Sequence, residues 1–263
     1  MRLRVGAATD VGQVRKLNED AYTVIPRQGV FVVCDGMGGA AAGEVASQMT
    51  IETVQKYLTS NDNNATAPAA SSSGYLARTE RLAEAVRESN RAIYQLAQED
   101  RKKAGMGTTF VGVWVEDNIA SVAHVGDSRA YLWHGDQMEP LTEDHSLVEA
   151  QVKAGVIRRD QVEESKVRSV LLRALGQEPQ VQVDVSEVPL RPGDYLLLCS
   201  DGLTRVVPDT GLARAISVLR EPQRICNYLI DSANSRGGPD NITVVVVQVA
   251  KSFWQRLWDR LRG

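Results

Sequence analysis

Four aspartates stand at the edges of apolar runs, each beside a small or turn-forming residue. They are Asp35 before Gly36, Asp127 after Gly126, Asp201 before Gly202 and Asp240 before Asn241. Val30 to Cys34, Val122 to Gly126 and Leu196 to Ser200 lead directly into the first three. A buried strand that runs into a carboxylate holds it rigidly, and an adjacent glycine lets a backbone carbonyl approach an ion. One Asp-Gly pair alone is an ordinary turn or helix cap. Four together point to a site. Oxygen donors without His or Cys partners suit hard ions, magnesium or manganese, better than zinc.

The elements that must carry these residues follow from hydrophobic periodicity. Arg4 to Ala8, Ala21 to Ile25 and Val30 to Cys34 are predicted strands, the last ending in the turn Asp35 to Gly39. A helix is expected over Ala40 to Leu58, burying Val45, Met49 and Val54. Thr59 to Gly74, rich in Ser, Asn and Ala, reads as a surface loop. Tyr75 to Lys103 reads as a long amphipathic helix with Leu82, Val86, Ile93 and Leu96 inward. The period then becomes two. Thr108 to Glu116, Ile119 to Val125, Arg129 to His134 and Gln137 to Leu141 are expected as one antiparallel meander, with Asp117-Asn118 and Gly135-Asp136 as turns. Ser146 to Lys166 is polar and irregular and reads as a flap with Gly155 as hinge. Val181 to Val188 and Tyr195 to Ser200 are strands around Arg191 to Asp194. Helices follow at Asp209 to Leu219 and Pro222 to Ser235, then a valine-rich strand at Asn241 to Ala250. Antiparallel strands interleaved with paired helices indicate an α+β layered domain.

The chain has 263 residues, 43% hydrophobic and 24% charged, with a net charge of -3. Nothing basic predominates, so nucleic-acid binding is not expected. The first residues carry no apolar signal segment, and no run approaches the ~18 apolar residues of a membrane span. Cys34, Cys199 and Cys226 are too far apart for a zinc site or disulfide framework and are expected as buried free thiols in the cytoplasm. His124 reads as a core histidine, His134 as solvated and His145 as a residue that fixes a turn.

Arg15-Lys16-Leu17-Asn18-Glu19-Asp20, Asp35-Gly36-Met37-Gly38-Gly39, Gly107-Thr108-Thr109, Gly126-Asp127-Ser128-Arg129, Asp144-His145, Ser200-Asp201-Gly202-Leu203 and Asp240-Asn241 follow one another along the chain. This ordered set resembles the PP2C (PPM) family of metal-dependent serine/threonine protein phosphatases, in its bacterial form. It covers about Val5 to Val249. The resemblance implies a four-layer αββα sandwich of two antiparallel sheets flanked by helices. It also implies two core Mn2+ or Mg2+ ions and a third, weaker one. Asp35 would bridge the core ions, the Gly36 carbonyl would bind one of them, and Asp201 and Asp240 would complete the other. Glu19 would act through water on an ion, Asp127 would hold the third ion with Asp201, and Arg15 would grip the substrate phosphate. A planar guanidinium suits that role because it donates two parallel charge-assisted bonds. Ions about 4 Å apart can hold a hydroxide between them for direct in-line attack on phosphorus. Met37 departs from the histidine that many eukaryotic members carry there as general acid.

The implied function is hydrolysis of phosphoserine and phosphothreonine on proteins. The alternatives are a catalytically weak regulatory or binding module of the same fold, or a small-molecule phosphate hydrolase. Residues 1–250 are expected to form the phosphatase domain with the flap at 146–166, and phosphorylated proteins are the expected partners of a monomer. Residues 251–263 are expected as an amphipathic helix carrying Phe253, Trp254, Leu257, Trp258 and Leu261, with Lys251, Arg256, Arg260 and Arg262 against Asp259. Such a helix either packs on its own domain or docks on a membrane surface or a protein partner.

Overall fold

The computed structural model describes residues 2–38, 42–59, 74–162 and 165–250. The expected surface loop and C-terminal helix therefore lie almost wholly outside the described residues. In chain order the elements are β1 (Leu3–Asp10), β2 (Asp20–Ile25), β3 (Val30–Met37), α1 (Ala42–Thr59), α2 (Ala77–Glu99), β4 (Gly107–Thr108), β5 (Phe110–Glu116) and β6 (Ile119–Val125). There follow β7 (Arg129–His134), β8 (Gln137–Pro140), α3 (Leu147–Lys153), β9 (Asp184–Pro189), β10 (Tyr195–Cys199), α4 (Asp201–Thr204), α5 (Asp209–Leu219), α6 (Pro222–Ser235) and β11 (Ile242–Val249).

Two antiparallel sheets result. One has the order β1-β11-β10-β7-β8, the other β2-β3-β5-β6-β9 with β4 paired to β3. Strand alternation sorts their side chains into separate layers. Phe31 and Val33 of β3 join Leu196 and Leu198 of β10 and Val245 and Val247 of β11 in the core between the sheets. Val30, Val32 and Cys34 face the other way, against α1 and α2. Leu197, Cys199, Val244 and Val246 face α5 and α6. The αββα sandwich is thus written in the period of two, with apolar residues on both faces of each central strand.

Three expectations need correction. The four strands after Gly107 do not form one meander. β5 pairs β6 in one sheet and β7 pairs β8 in the other, and the chain changes sheets at Gly126-Asp127-Ser128. Gly126 has φ +107°, a conformation open to glycine but not to a β-branched residue, and it allows the sharp exit. β3 does not stop at Cys34. It continues through Asp35, paired with Asp20, and through Gly36 and Met37, paired with β4. Finally, α1 buries Ala46, Ser47, Thr50 and Val54, while Val45 and Met49 are only partly covered. Small residues line that face because the first turn of α1 must press on β3: a Cβ on Gly36 would lie 2.2 Å from the Gly43 carbonyl oxygen.

Candidate active site

Asp35, Asp127, Asp201 and Asp240 all lie near one end of the sandwich, where strands of both sheets terminate. Asp35 lies on β3, Asp127 in the crossover between the sheets, Asp201 at the head of α4 just beyond β10, and Asp240 just before β11. They are close enough to act on one another. Burial pushes the Asp35 carboxyl well up, and Asp20, Asp201, Asp127 and Asp240 push it further. Burial, with Asp201 and Asp144, raises Asp127 to about 8. Asp201 is also raised by burial, against the opposing pull of Arg205. Such crowding is unfavourable for ionised groups unless cations accompany them.

Asp20, to which sequence reasoning gave no role, belongs to the cluster. Its Oδ2 accepts from Ser200 Oγ and Thr243 Oγ1, both at 2.7 Å. Its Oδ1 is buried with no hydrogen-bond partner, as is Asp201 Oδ1. Burial raises Asp20 to about 7. Two orphaned carboxylate oxygens inside an all-oxygen cluster are what bound hard cations would satisfy, so these residues fit divalent metal ions. The signal for Asp20 was its place in the first motif. Its orphaned oxygen exists only once the chain is folded.

The remaining motif residues hold the cluster in place. Asp35 is clamped by backbone: its N–H donates to Thr109 Oγ1 at 2.9 Å, and its carbonyl accepts from Thr109 N and Thr108 Oγ1, each at 2.9 Å. Thr109 Oγ1 also reaches Ser128 Oγ at 2.7 Å, tying β3 to the crossover. Asn241 fastens the loop that carries Arg15 and Glu19. Its Oδ1 accepts from Glu19 N at 2.8 Å, and its Nδ2 donates to the carbonyls of Val11 and Leu17 at 2.9 Å. Glu19 is raised by burial and held down by the backbone N–H groups of Gly43 and Glu44 at the start of α1. It therefore caps that helix beside the cluster.

Two arginines face the carboxylates. Arg15, with its side chain half exposed, donates to Asp240 Oδ2 at 2.9 Å. Arg205, unremarked in the sequence, touches both Asp201 and Asp240. Arg129 is bonded to both oxygens of Asp144, at 2.8 and 2.7 Å, and so props the crossover from behind.

The histidines do other work. His145 Nδ1 accepts from Gly126 N–H at 3.1 Å, so the ring proton is on Nε2, facing Asp184 Oδ2 at 3.2 Å. Burial, with stacked His124, lowers His145 to about 4. His124, His145 and Asp184 place ligand atoms within 4.8 Å of one another. An ion on His145 Nε2 would force a proton onto Nδ1, against the Gly126 N–H. The trio is a hydrogen-bonded clip on the crossover, not an ion site. His134, expected as solvated, is partly exposed and also bonds Asp194 at 2.6 Å, joining β7 to the Arg191–Asp194 turn. Cys34, Cys199 and Cys226 are buried free thiols, as expected, and burial raises Cys199 to about 12.

A groove of about 960 Å3 lies between the segment after His145 and the edge of β7 and β8. Asp144, Arg129, Glu149, Lys153 and Arg159 line it. None of the cluster's aspartates lines it; its link to them is Asp144, which also raises Asp127.

Comparison with known proteins agrees with this geometry. The sequence profile described as Protein phosphatase 2C matches residues 12–235. The chain is 38% identical over 243 residues to "Serine/threonine phosphatase stp" of Listeria innocua, covering 91% of this chain and 93% of that protein. The crystal structure of the Mycobacterium tuberculosis serine/threonine phosphatase PstP/Ppp superposes with a TM-score of 0.84 at 34% identity, over 95% of this chain and all of that one. The catalytic domain of PstP in complex with two manganese ions superposes with a TM-score of 0.80, also at 34% identity, over 95% of this chain and 99% of that one. The chain belongs to the protein phosphatase 2C family.

Proposed function

We propose that this chain is a divalent-metal-dependent phosphatase that hydrolyses phosphoserine and phosphothreonine on proteins. The observation that carries the reading is the convergence of Asp20, Asp35, Asp127, Asp201 and Asp240 on one buried cluster with unsatisfied oxygens and Arg15 at its rim. Hard divalent cations bound there supply the positive charge that neutralises a phosphate and activates water for attack on phosphorus. Asp35 would serve both core ions, Gly36 one of them through its carbonyl, and Asp201 and Asp240 the other. Asp127 with Asp201 would take a third, and Glu19 would bear on the ions through water. Arg15, half exposed at the rim, would bind two phosphate oxygens through its fork and orient the phosphorus. Met37 has no proton to give to the departing serine oxygen. Manganese and magnesium both suit the donor set.

The groove beside Asp144 offers charged side chains of both signs, which suit a polypeptide better than a small metabolite. Its flap-side residues Glu149, Lys153 and Arg159 are where sequence preference would be set. No helix among the described residues is long and apolar enough to cross a membrane. Three free thiols suit a reducing compartment, and we place the protein's work in the cytoplasm.

The test is turnover of p-nitrophenyl phosphate and of a phosphothreonine peptide by the EDTA-stripped chain, with and without Mn2+ or Mg2+. Activity is expected only with metal, and the peptide should give the higher kcat/KM. Full activity in the stripped protein would overturn the reading, and turnover of small metabolites alone would favour the small-molecule alternative.

A further inference from the structure

Arg205 sits where an ion is expected. It follows the last residue of α4 and, by helical spacing, comes back over Asp201 four positions earlier. One arm of its guanidinium contacts Asp201 Oδ2, and the other donates to Asp240 Oδ2 at 3.1 Å. Its side chain is 25% exposed, against 51% for Arg15, so it lies deeper in the cluster than Arg15 does. Burial opposes its charge, and Asp201, Asp240, Asp127 and Asp35 together outweigh that.

This inference rests on the reading of Asp201 and Asp240 as ligands of a core ion. Arg205 holds Oδ2 of both carboxylates, which leaves Asp201 Oδ1 without a partner. A guanidinium and a divalent cation beside the same two carboxylates repel each other and draw on the same negative charge. We propose that Arg205 is a tethered counter-ion that occupies this part of the centre in the metal-free protein and that a divalent cation must displace. The arginine then has two linked effects. It stabilises the fold without metal by offsetting buried like charges, and it weakens metal affinity by competing for the ligands. Arg15 cannot substitute for it, because Arg15 reaches Asp240 alone among the cluster's aspartates and from an exposed loop.

The experiment titrates Mn2+ into the EDTA-stripped full chain by calorimetry and measures melting temperature with and without Mn2+. Arg205→Gln is expected to tighten Mn2+ binding by at least ~10-fold, the scale of one partly buried ion pair, and to lower the metal-free melting temperature by several degrees. Arg205→Lys keeps the charge but reaches one carboxylate at a time. It should fold readily and show a smaller tightening. Unchanged or weaker Mn2+ affinity in Arg205→Lys, and in Arg205→Gln where that variant folds, would overturn the proposal. Asp240→Asn separates the two layers of the argument. If it binds Mn2+ as the wild type does, the ligand reading itself has failed. If it loses binding while the Arg205 variants gain none, only the counter-ion proposal has.

Discussion

Asp35 shows how one residue can serve function at the expense of stability. Its backbone is clamped by Thr108 and Thr109, which holds the residue beside the other acids that push its carboxyl up. Asp35→Asn removes a charge that the metal-free fold tolerates poorly and that a bound ion needs. The variant should therefore melt higher than the wild type after EDTA treatment, yet lose at least ~100-fold in turnover with Mn2+ present. Calorimetry and p-nitrophenyl phosphate assays read the two effects separately; turnover within a few-fold of wild type would remove Asp35 from the chemistry. Arg15 behaves oppositely. Its ion pair with Asp240 is half exposed and contributes about 0–1 kcal/mol, so Arg15→Ala should scarcely move the melting temperature. KM for phosphopeptides should rise more than kcat falls, because the guanidinium grips phosphate already in the ground state. An unchanged KM would show that Arg15 does not touch phosphate. Asp35, Asp127, Asp201 and Asp240 were legible because a carboxylate at the edge of an apolar run is a local pattern. Asp20 and Arg205 were not, because their importance comes from partners far along the chain: Ser200 and Thr243 for one, Asp240 for the other.

Among elements, the crossover from β6 to β7 matters most, since it carries Asp127 from one sheet to the other. Strand periodicity predicted both strands within a residue, but period two says nothing about which sheet a strand joins. The tight spacing suggested a hairpin; Gly126 and the clip beneath it make a bridge instead. That clip depends on protonation. His145 accepts from Gly126 N–H only when neutral, and the groups facing it are His124, Arg173 and Asp184. Two of these disfavour its charge and Asp184 favours it, with burial the largest cause of its depressed value of about 4. A group depressed in the folded state contributes stability fully above its unfolded value near 6.5, and that stability is lost as pH falls toward 4. Each pH unit within that window costs up to about 1.4 kcal/mol. His145→Gln, which can donate but not titrate, should show a flatter stability curve between those values in urea titrations. A curve parallel to wild type would mean that His145 is not the titrating group. Asn241 is the matching clip on the other side. Its three bonds to the Val11–Glu19 segment suggest a loss of about 2–4 kcal/mol for Asn241→Ala, with Arg15 and Glu19 displaced, measured by urea unfolding and by KM.

At the scale of the whole molecule, the sandwich places a site between sheets that neither sheet could build alone. Asp20 and Asp35 come from one sheet. Asp201 and Asp240 come from the margins of two adjacent strands of the other, and Asp127 comes from the chain between the sheets. The layer order was legible in outline, since central strands apolar on both faces need cover on both faces. The register was not, because Val244 to Val247 would pair acceptably in several registers. What fixes it is polar: Thr243 N–H donates to Ser200 Oγ at 2.9 Å and Thr243 Oγ1 to Asp20, so one shift along β11 would break the site. β11 also closes the domain. It is paired on one side by β1 from Leu3 to Asp10 and on the other by β10, and Ala250 N–H donates to the Arg2 carbonyl at 2.9 Å. Among the described residues, which end at 250, both sheets and the carboxylates of the site are already assembled. We therefore propose that residues 1–250 suffice for folding and chemistry. Truncation after Ala250 should leave the melting temperature and p-nitrophenyl phosphate turnover nearly unchanged. If residues 251–263 serve docking, the truncated chain should bind anionic vesicles or a protein partner more weakly at equal turnover. A fall of several degrees in melting temperature would instead make those residues part of the core, and the boundary at 250 would be wrong.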